Sequence, residues 1–213
     1  MPRLQRSTGW KNKMNLIAYD DLIAMPWKNG GGITRELACY PPNAHFDDFL
    51  WRVSIADIRQ SGSFSVFPGI DRVIALLHGD GMQLHFADGV RHPLTIPLQP
   101  YHFSGEDALD ACLVDGECQD VNLMLRRGVA SGGMDVLRIA KKLSNDPHFR
   151  LLFSARGHWE VKTASGIIYI IAPHQTLTLT ADEGALEVQP MNSDCALVSI
   201  HITLLEKSSD ANG

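Results

Sequence analysis

LLHGDGMQLHFADG, Leu76 to Gly89, decides the fold, because the chain uses the same pattern again in LLFSARGHWEVKTASG, Leu151 to Gly166. Each copy reads as a strand, a tight turn at glycine, a second alternating strand and a closing Gly turn. A proline-bearing segment follows each: RHPLTIPLQP after the first, IAPHQTLTL after the second. Two copies of one supersecondary unit point to two related β units in a single chain. The competing explanation is a chance likeness between two short hairpins.

Outward from these hairpins, alternation and β-branched or aromatic enrichment recur in LWRVSIADI, DVNLMLRR, IIYIIA, QTLTLTA and ALVSIHITLL. Turn signals such as PPN, SGS, FPG, ASGG, DEG and NSD separate them. MDVLRIAKKL can hold a turn or two of helix, although RIA also reads as strand. YDDLIAM can form a short helical turn or lead into an edge strand. Many short strands at regular spacing make the chain all-β, and two cupin-like barrels (jelly rolls, or double-stranded β-helices) fit its length. The expected units are 14–127, carrying a pocket, and 128–206, a structural half, with 1–13 and 207–213 as flexible ends. An immunoglobulin-like sandwich is the alternative, but it leaves the polar strand faces without a purpose.

Those faces follow from the two-residue period of a strand. In LWRVSIADI, Trp51, Val53 and Ile55 share one face, and Arg52, Ser54 and Ala56 share the other. In DVNLMLR, Val121, Leu123 and Leu125 oppose Asp120, Asn122 and Met124. In a lone antiparallel sheet the polar face meets solvent. If the apolar faces pack between two barrels, the polar faces instead line a cavity. An enclosed arginine is costly unless paired, so Arg52 would need Asp120, Glu36 or a ligand carboxylate beside it.

A metal is not expected. Nine histidines occur, but no H-x-H, and His78, His85 and His92 are separated by glycine turns. Where a metal-binding barrel places its histidine pair, this chain has Arg52 and Ser54, and a guanidinium repels a cation. No organic cofactor is expected either: there is no G-x-S-x-G elbow, Walker loop or dinucleotide glycine pattern.

WKNGGGITRE, Trp27 to Glu36, has two readings. One is a flexible surface turn. The other is an anion cradle of backbone N–H groups on Gly30, Gly31 and Gly32, with charge from Lys28. Asp71 and Arg72 after FPG read as a charged turn, and Glu106 as an exposed turn acid. Glu36, beside Arg35, and Asp120 are weak candidates for acid–base chemistry.

The net charge of −5 argues against broad nucleic-acid binding. No apolar run is long enough to span a membrane. The opening MPRLQRSTGWKNK is basic but lacks the apolar core of a secretory signal, so it reads as a leader, a cloning remnant or an over-extended start, with Met14 as the natural one. Cys39, Cys112, Cys118 and Cys195 form no C-x-x-C pair and read as free thiols of a cytoplasmic protein, although Cys112 and Cys118 can bridge in an oxidising setting. An exposed sheet can support a homodimer, but nothing requires one.

PWKNGGGITRE, WRVSIA, FSVFPGIDR, LLHGDG and DVNLM, in that order, resemble the HutD/Ves family from about Met25 to Arg127, and more diffusely to about Leu205. The resemblance implies a bacterial, cytoplasmic bicupin, in some members linked to histidine degradation and in others to stress. It implies a role in binding a small anionic metabolite such as formylglutamate to restrain that pathway. It also implies that Trp27, Lys28, Asn29, Gly30, Gly31, Gly32 and Arg35, then Arg52 and Ser54, then Asp71 and Arg72, then Asn122, converge on the mouth of the first barrel. Two function classes stay open: a sensor or regulator of a carboxylate, and a metal-independent isomerase or hydrolase with Glu36 or Asp120 as base.

Overall fold

The computed structural model describes residues 15–206. Met14, the basic opening segment and the polar tail lie outside the described residues. Strand β1 (Asn15–Ala18) leads into a 3-10 turn, Tyr19–Asp21, so YDDLIAM is a helical turn followed by the edge strand β2 (Ala24–Pro26). The chain continues through β3 (Gly32–Tyr40), β4 (Trp51–Ile58), β5 (Gly62–Ser63), β6 (Ile70–His78) and β7 (Met82–Phe86). Then come β8 (Arg91–Leu94), β9 (Tyr101–Ser104), β10 (Leu109–Leu113) and β11 (Cys118–Arg126). The later half holds β12 (Ala130–Leu137), β13 (Lys141–Leu143), β14 (Phe149–Arg156) and β15 (Trp159–Thr163). It ends with β16 (Ile168–Ile171), β17 (Gln175–Thr180), β18 (Leu186–Pro190) and β19 (Ala196–Leu204).

MDVLRIAKKL contains no helix. Met134 to Leu137 complete β12, where Met134 pairs Ile200 and Val136 pairs Val198 on β19, and Lys141 to Leu143 form β13. Pairing with a long neighbouring strand overrides the local helical tendency of Leu, Ala and Lys. Among the described residues no helix is long and apolar enough to cross a membrane.

The strands form four antiparallel sheets. The earlier half has a six-stranded sheet, β2-β3-β4-β11-β6-β9, and a four-stranded one, β5-β10-β7-β8. The later half has a five-stranded sheet, β1-β17-β14-β19-β12, and a four-stranded one, β13-β18-β15-β16. The run β4-β11-β6-β9 has the same order as β12-β19-β14-β17, and the two small sheets also match strand for strand. This explains the repeated sequence: β6 to β7 and β14 to β15 each carry the chain from the large sheet of a half to its small one. Among the described residues the sheets of each half stay separate ladders, and no closed barrel forms. The additions differ between halves. β2 and β3 extend the first large sheet beyond β4, whereas β1, first in sequence, pairs with β17 of the second.

The two large sheets pack face to face. Trp51, Val53, Ile55, Val121 and Leu123 meet Phe149, Leu151, Phe153, Val198 and Ile200 in one continuous core. Trp51 is fully buried, with its ring 5.0 Å from Phe149. Fully burying each such side chain contributes about 1.5–3 kcal/mol relative to exposure. The opposite faces cover the small sheets: Ile58, Ile74 and Leu76 against Met82 and Leu84, and Leu152, Leu177 and Leu197 against Trp159 and Val161. A central strand is thus buried on both faces, and any polar side chain on its inner face must be enclosed. All four cysteines are free.

Candidate functional site: a polar hollow in the N-terminal half

Strand alternation turns Arg52 and Ser54 of β4, Arg72 of β6, and Asp120 and Asn122 of β11 away from the core between the large sheets. The register clusters them: Ser54 lies opposite Asn122, and Met124 lies opposite both Arg52 and Arg72. All five line a hollow of about 550 Å³ whose remaining walls include Met25, Trp27, Phe46, Phe64 and Phe67. Arg52 and Arg72 are each 6% exposed, and Asp120 is 2% exposed.

The two guanidiniums are held differently. Arg52 donates from Nε to Glu36 Oε2 at 2.7 Å and from Nη1 to Ser54 Oγ at 3.3 Å, and it lies 4.9 Å from the centre of the Phe46 ring. Its Nη2 is buried and has no hydrogen-bond partner. A bulge in β3 between Glu36 and Ala38 shifts the register beside Arg52. Arg72 donates from Nε to Asn122 Oδ1 at 3.4 Å and sits among Phe64, Phe67 and Phe103, at 5.2, 5.8 and 4.8 Å from the ring centres. Burial pushes Arg72 down to about 10, Arg52 adds to this and Asp120 opposes it, so Arg72 stays charged at neutral pH.

The Asp120 carboxyl accepts no hydrogen bond from any described side chain or backbone N–H. Burial raises its carboxyl to about 7, with Arg72 pulling it down and Asp57 pushing it up. At neutral pH the hollow therefore has two permanent positive charges, facing Glu36, which is bound to Arg52, and an acid that is only partly ionised. Lys28 stands at the rim. The balance is positive, with one guanidinium nitrogen left without an acceptor.

The residues expected at the mouth divide into two groups. Trp27, Lys28 and Asn29 line the hollow, and Trp27 Nε1 donates to Thr34 Oγ1 at 2.7 Å, which fixes the indole. Gly30, Gly31 and Gly32 do not line it, which corrects the anion-cradle reading. The Gly30 N–H donates to the Trp27 carbonyl at 3.0 Å and the Gly31 N–H to Asn29 Oδ1 at 3.0 Å, so these amides are engaged within the turn itself. The glycines shape the turn instead. Gly30 has φ +72°, and a Cβ on Gly32 would come 2.5 Å from the Asp57 carbonyl oxygen and 3.3 Å from the Trp27 ring.

Arg35 is also outside the hollow. It points to the other face of β3, pairing with Asp57 Oδ2 at 2.8 Å and donating to the Tyr19 hydroxyl at 2.8 Å. Asp71 is outside too. It is exposed and paired with Arg127 at 2.7 Å, next to Glu106 at 3.0 Å from the same guanidinium. Sequence reasoning missed the walls formed by Phe46, Phe64 and Met25, whereas Met124 lies on the face of β11 that the strand period assigned to it. The phenylalanines of FDDF and GSFSVF lie in loops, where no strand period tells which way a ring turns. A second recess of about 500 Å³ shares Met25, Phe46 and Arg52 with the hollow and holds Glu36 and His45.

The hollow does not fit a metal ion. Its inward positions on β4, β6 and β11 are two arginines, a serine, an asparagine and one acid, and no three His, Cys, Asp or Glu side chains come together among the described residues.

Comparisons with known proteins bear on the family and the fold. The chain is 32% identical over 186 residues to a 21.2 kDa protein of the hutC 3′ region of Pseudomonas putida, covering 87% of this chain and 97% of that one. It is 37% identical over 176 residues to the protein Ves of Escherichia fergusonii, covering 79% and 82%. The structure of HutD from Pseudomonas fluorescens SBW25 superposes with a TM-score of 0.78 at 28% identity, covering 91% of this chain and 100% of that one. At the level of fold alone, a cupin 2 conserved barrel domain protein from Leptotrichia buccalis matches with a TM-score of 0.58 at 10% identity, covering 92% and 99%. The HutD family model matches residues 19–197, and the chain belongs to the HutD family, with a cupin-like all-β fold.

Proposed function

We propose that this protein is a cytoplasmic bicupin that binds a small carboxylate in its N-terminal unit and acts as a sensor or regulator, with formylglutamate of histidine breakdown as the leading candidate ligand. The observation that carries this reading is Arg52: a guanidinium 6% exposed, lining a 550 Å³ hollow, with Nη2 lacking any partner. A buried, unsatisfied charged donor is costly, and a bound carboxylate oxygen supplies its missing acceptor. Arg72 adds the second positive charge. Ser54 and Asn122 orient polar groups, and Trp27, Lys28 and Asn29 form the mouth. The repeated strand order supports two cupin-like units, the second structural. The hutC-region relative supports the link to histidine utilisation.

The test is thermal unfolding of the protein with N-formyl-L-glutamate, glutamate, urocanate and related acids. A ligand at 100 times its Kd stabilises the native state by about 2.7 kcal/mol, which is read as a clear rise in Tm. A flat response to every acid contradicts the reading.

A further inference from the structure

Asp120 is the titratable group lining the hollow that the binding scheme above does not use. It is 2% exposed and faces the cavity, and its carboxyl receives no hydrogen bond from any described residue. The obvious partner, Arg72, spends its Nε on Asn122 and lies among three phenylalanines, and no ion pair joins the two. An unpartnered carboxylate beside a bound anion is doubly disfavoured, by desolvation and by like charge. A carboxylic acid there is favoured, because it presents an O–H to the anion.

We propose that Asp120 binds the anion as a neutral carboxylic acid, donating a hydrogen bond to it, so that the hollow takes up a proton as it takes up its ligand. This rests on the reading that the hollow holds a carboxylate. The charged and titratable groups around Asp120 are Arg72 on β6, Arg52 and Asp57 on β4, Cys118 on its own strand, and Lys28 at the mouth. Arg72, lowered only to about 10, keeps its charge at neutral pH, and burial pushes the Cys118 thiol up to about 12, so it stays neutral. Asp120 is then the group whose proton count changes near neutrality; its carboxyl sits at about 7 before any anion arrives. An anion raises it further. The sign follows: the bound state holds the proton to higher pH, so affinity grows as pH falls through 7 and levels off below it.

The experiment is calorimetric titration of the full chain with N-formyl-L-glutamate and with acetate at pH 6, 7 and 8, in buffers of different ionisation heat. The expected result is a Kd about tenfold tighter at pH 6 than at pH 8, as one linked proton requires, with uptake approaching one proton at pH 8. Asp120→Asn, whose amide donates without titrating, is expected to bind with a pH-independent Kd. Saturable wild-type binding that is flat in pH, without proton uptake, overturns the Asp120 assignment and leaves the carboxylate reading standing. The same pH slope in Asp120→Asn also overturns it and moves the linked proton to another group. Absence of wild-type binding to either probe at every pH overturns both.

Discussion

At the register positions where the N-terminal half has Arg52, Ser54, Arg72 and Asn122, the C-terminal half has Gly133, Asp135, Arg150 and Ser199. The backbone order is the same, but the charges are resolved differently. Arg150 donates from Nη1 to Ser199 Oγ at 3.1 Å and from Nη2 to the Ser144 carbonyl at 3.2 Å. Burial lowers it, while Asp135 and Asp146 pull it back up. The space that Arg52 would need is taken by His201, whose ring lies 3.1 Å from where a Cβ on Gly133 would stand. The edges differ as well. β12 is the last strand of its sheet, whereas β4 is covered by β3 and β2, and Phe46 rises beside it. A guanidinium is structural where the chain supplies its acceptors, and available to a ligand where an enclosing edge is added and an acceptor is withheld.

The largest effects should separate the halves outright. Arg52→Ala should weaken binding of the stabilising acid about a hundredfold, in the range for losing a buried charge-assisted contact, while Arg150→Ala leaves the calorimetric Kd unchanged. A loss in Arg150→Ala equal to that in Arg52→Ala would break the comparison. Next, Ser54→Asp installs in the first half the acid that the second half has at Asp135. It should occupy Arg52 from within and weaken binding by about tenfold or more; the reverse change, Asp135→Ser, should leave the Kd alone.

Stability should distinguish the two backbones. Gly32→Ala forces a Cβ to within 2.5 Å of the Asp57 carbonyl oxygen, which is backbone and cannot swing away. The expected cost is about 1–3 kcal/mol in denaturant unfolding. Gly133→Ala meets only the His201 ring, at 3.1 Å, and should cost less. Asp120→Asn should be stabilising, and more so at high pH. The folded carboxyl sits at about 7, above its unfolded value. The native state therefore holds the extra proton, and stability is lost as pH rises from about 4 through 7. Removing the acid should raise Tm at pH 8 and change it little at pH 4. The smallest effect belongs to Asp71→Asn in the exposed Arg127 cluster: Tm and Kd should both stay close to wild type.

Much of this was readable from residues alone. The two-residue period of WRVSIA and DVNLM gave the inward faces of Arg52, Ser54, Asp120 and Asn122, and the repeated hairpins anticipated the matching strand orders. Arg35, Asp71 and the three glycines were assigned by motif membership, which carries no face: Arg35 and Asp71 each point opposite to a neighbour that does serve the hollow. The docking of β1 on the later sheet left no local signal, since the pairing of Leu16 with Leu177 joins residues far apart in sequence. The enclosing phenylalanines were illegible for the same reason, being set by loop packing rather than by strand period.

The central claim is that Arg52 keeps a donor free for a carboxylate. Calorimetric titration of N-formyl-L-glutamate into wild type and Arg52→Ala at pH 7, with circular dichroism confirming that both are folded, tests it most directly. Saturable one-to-one binding to wild type that weakens about a hundredfold in the variant is the predicted result; equal binding to both, or none to wild type, contradicts it.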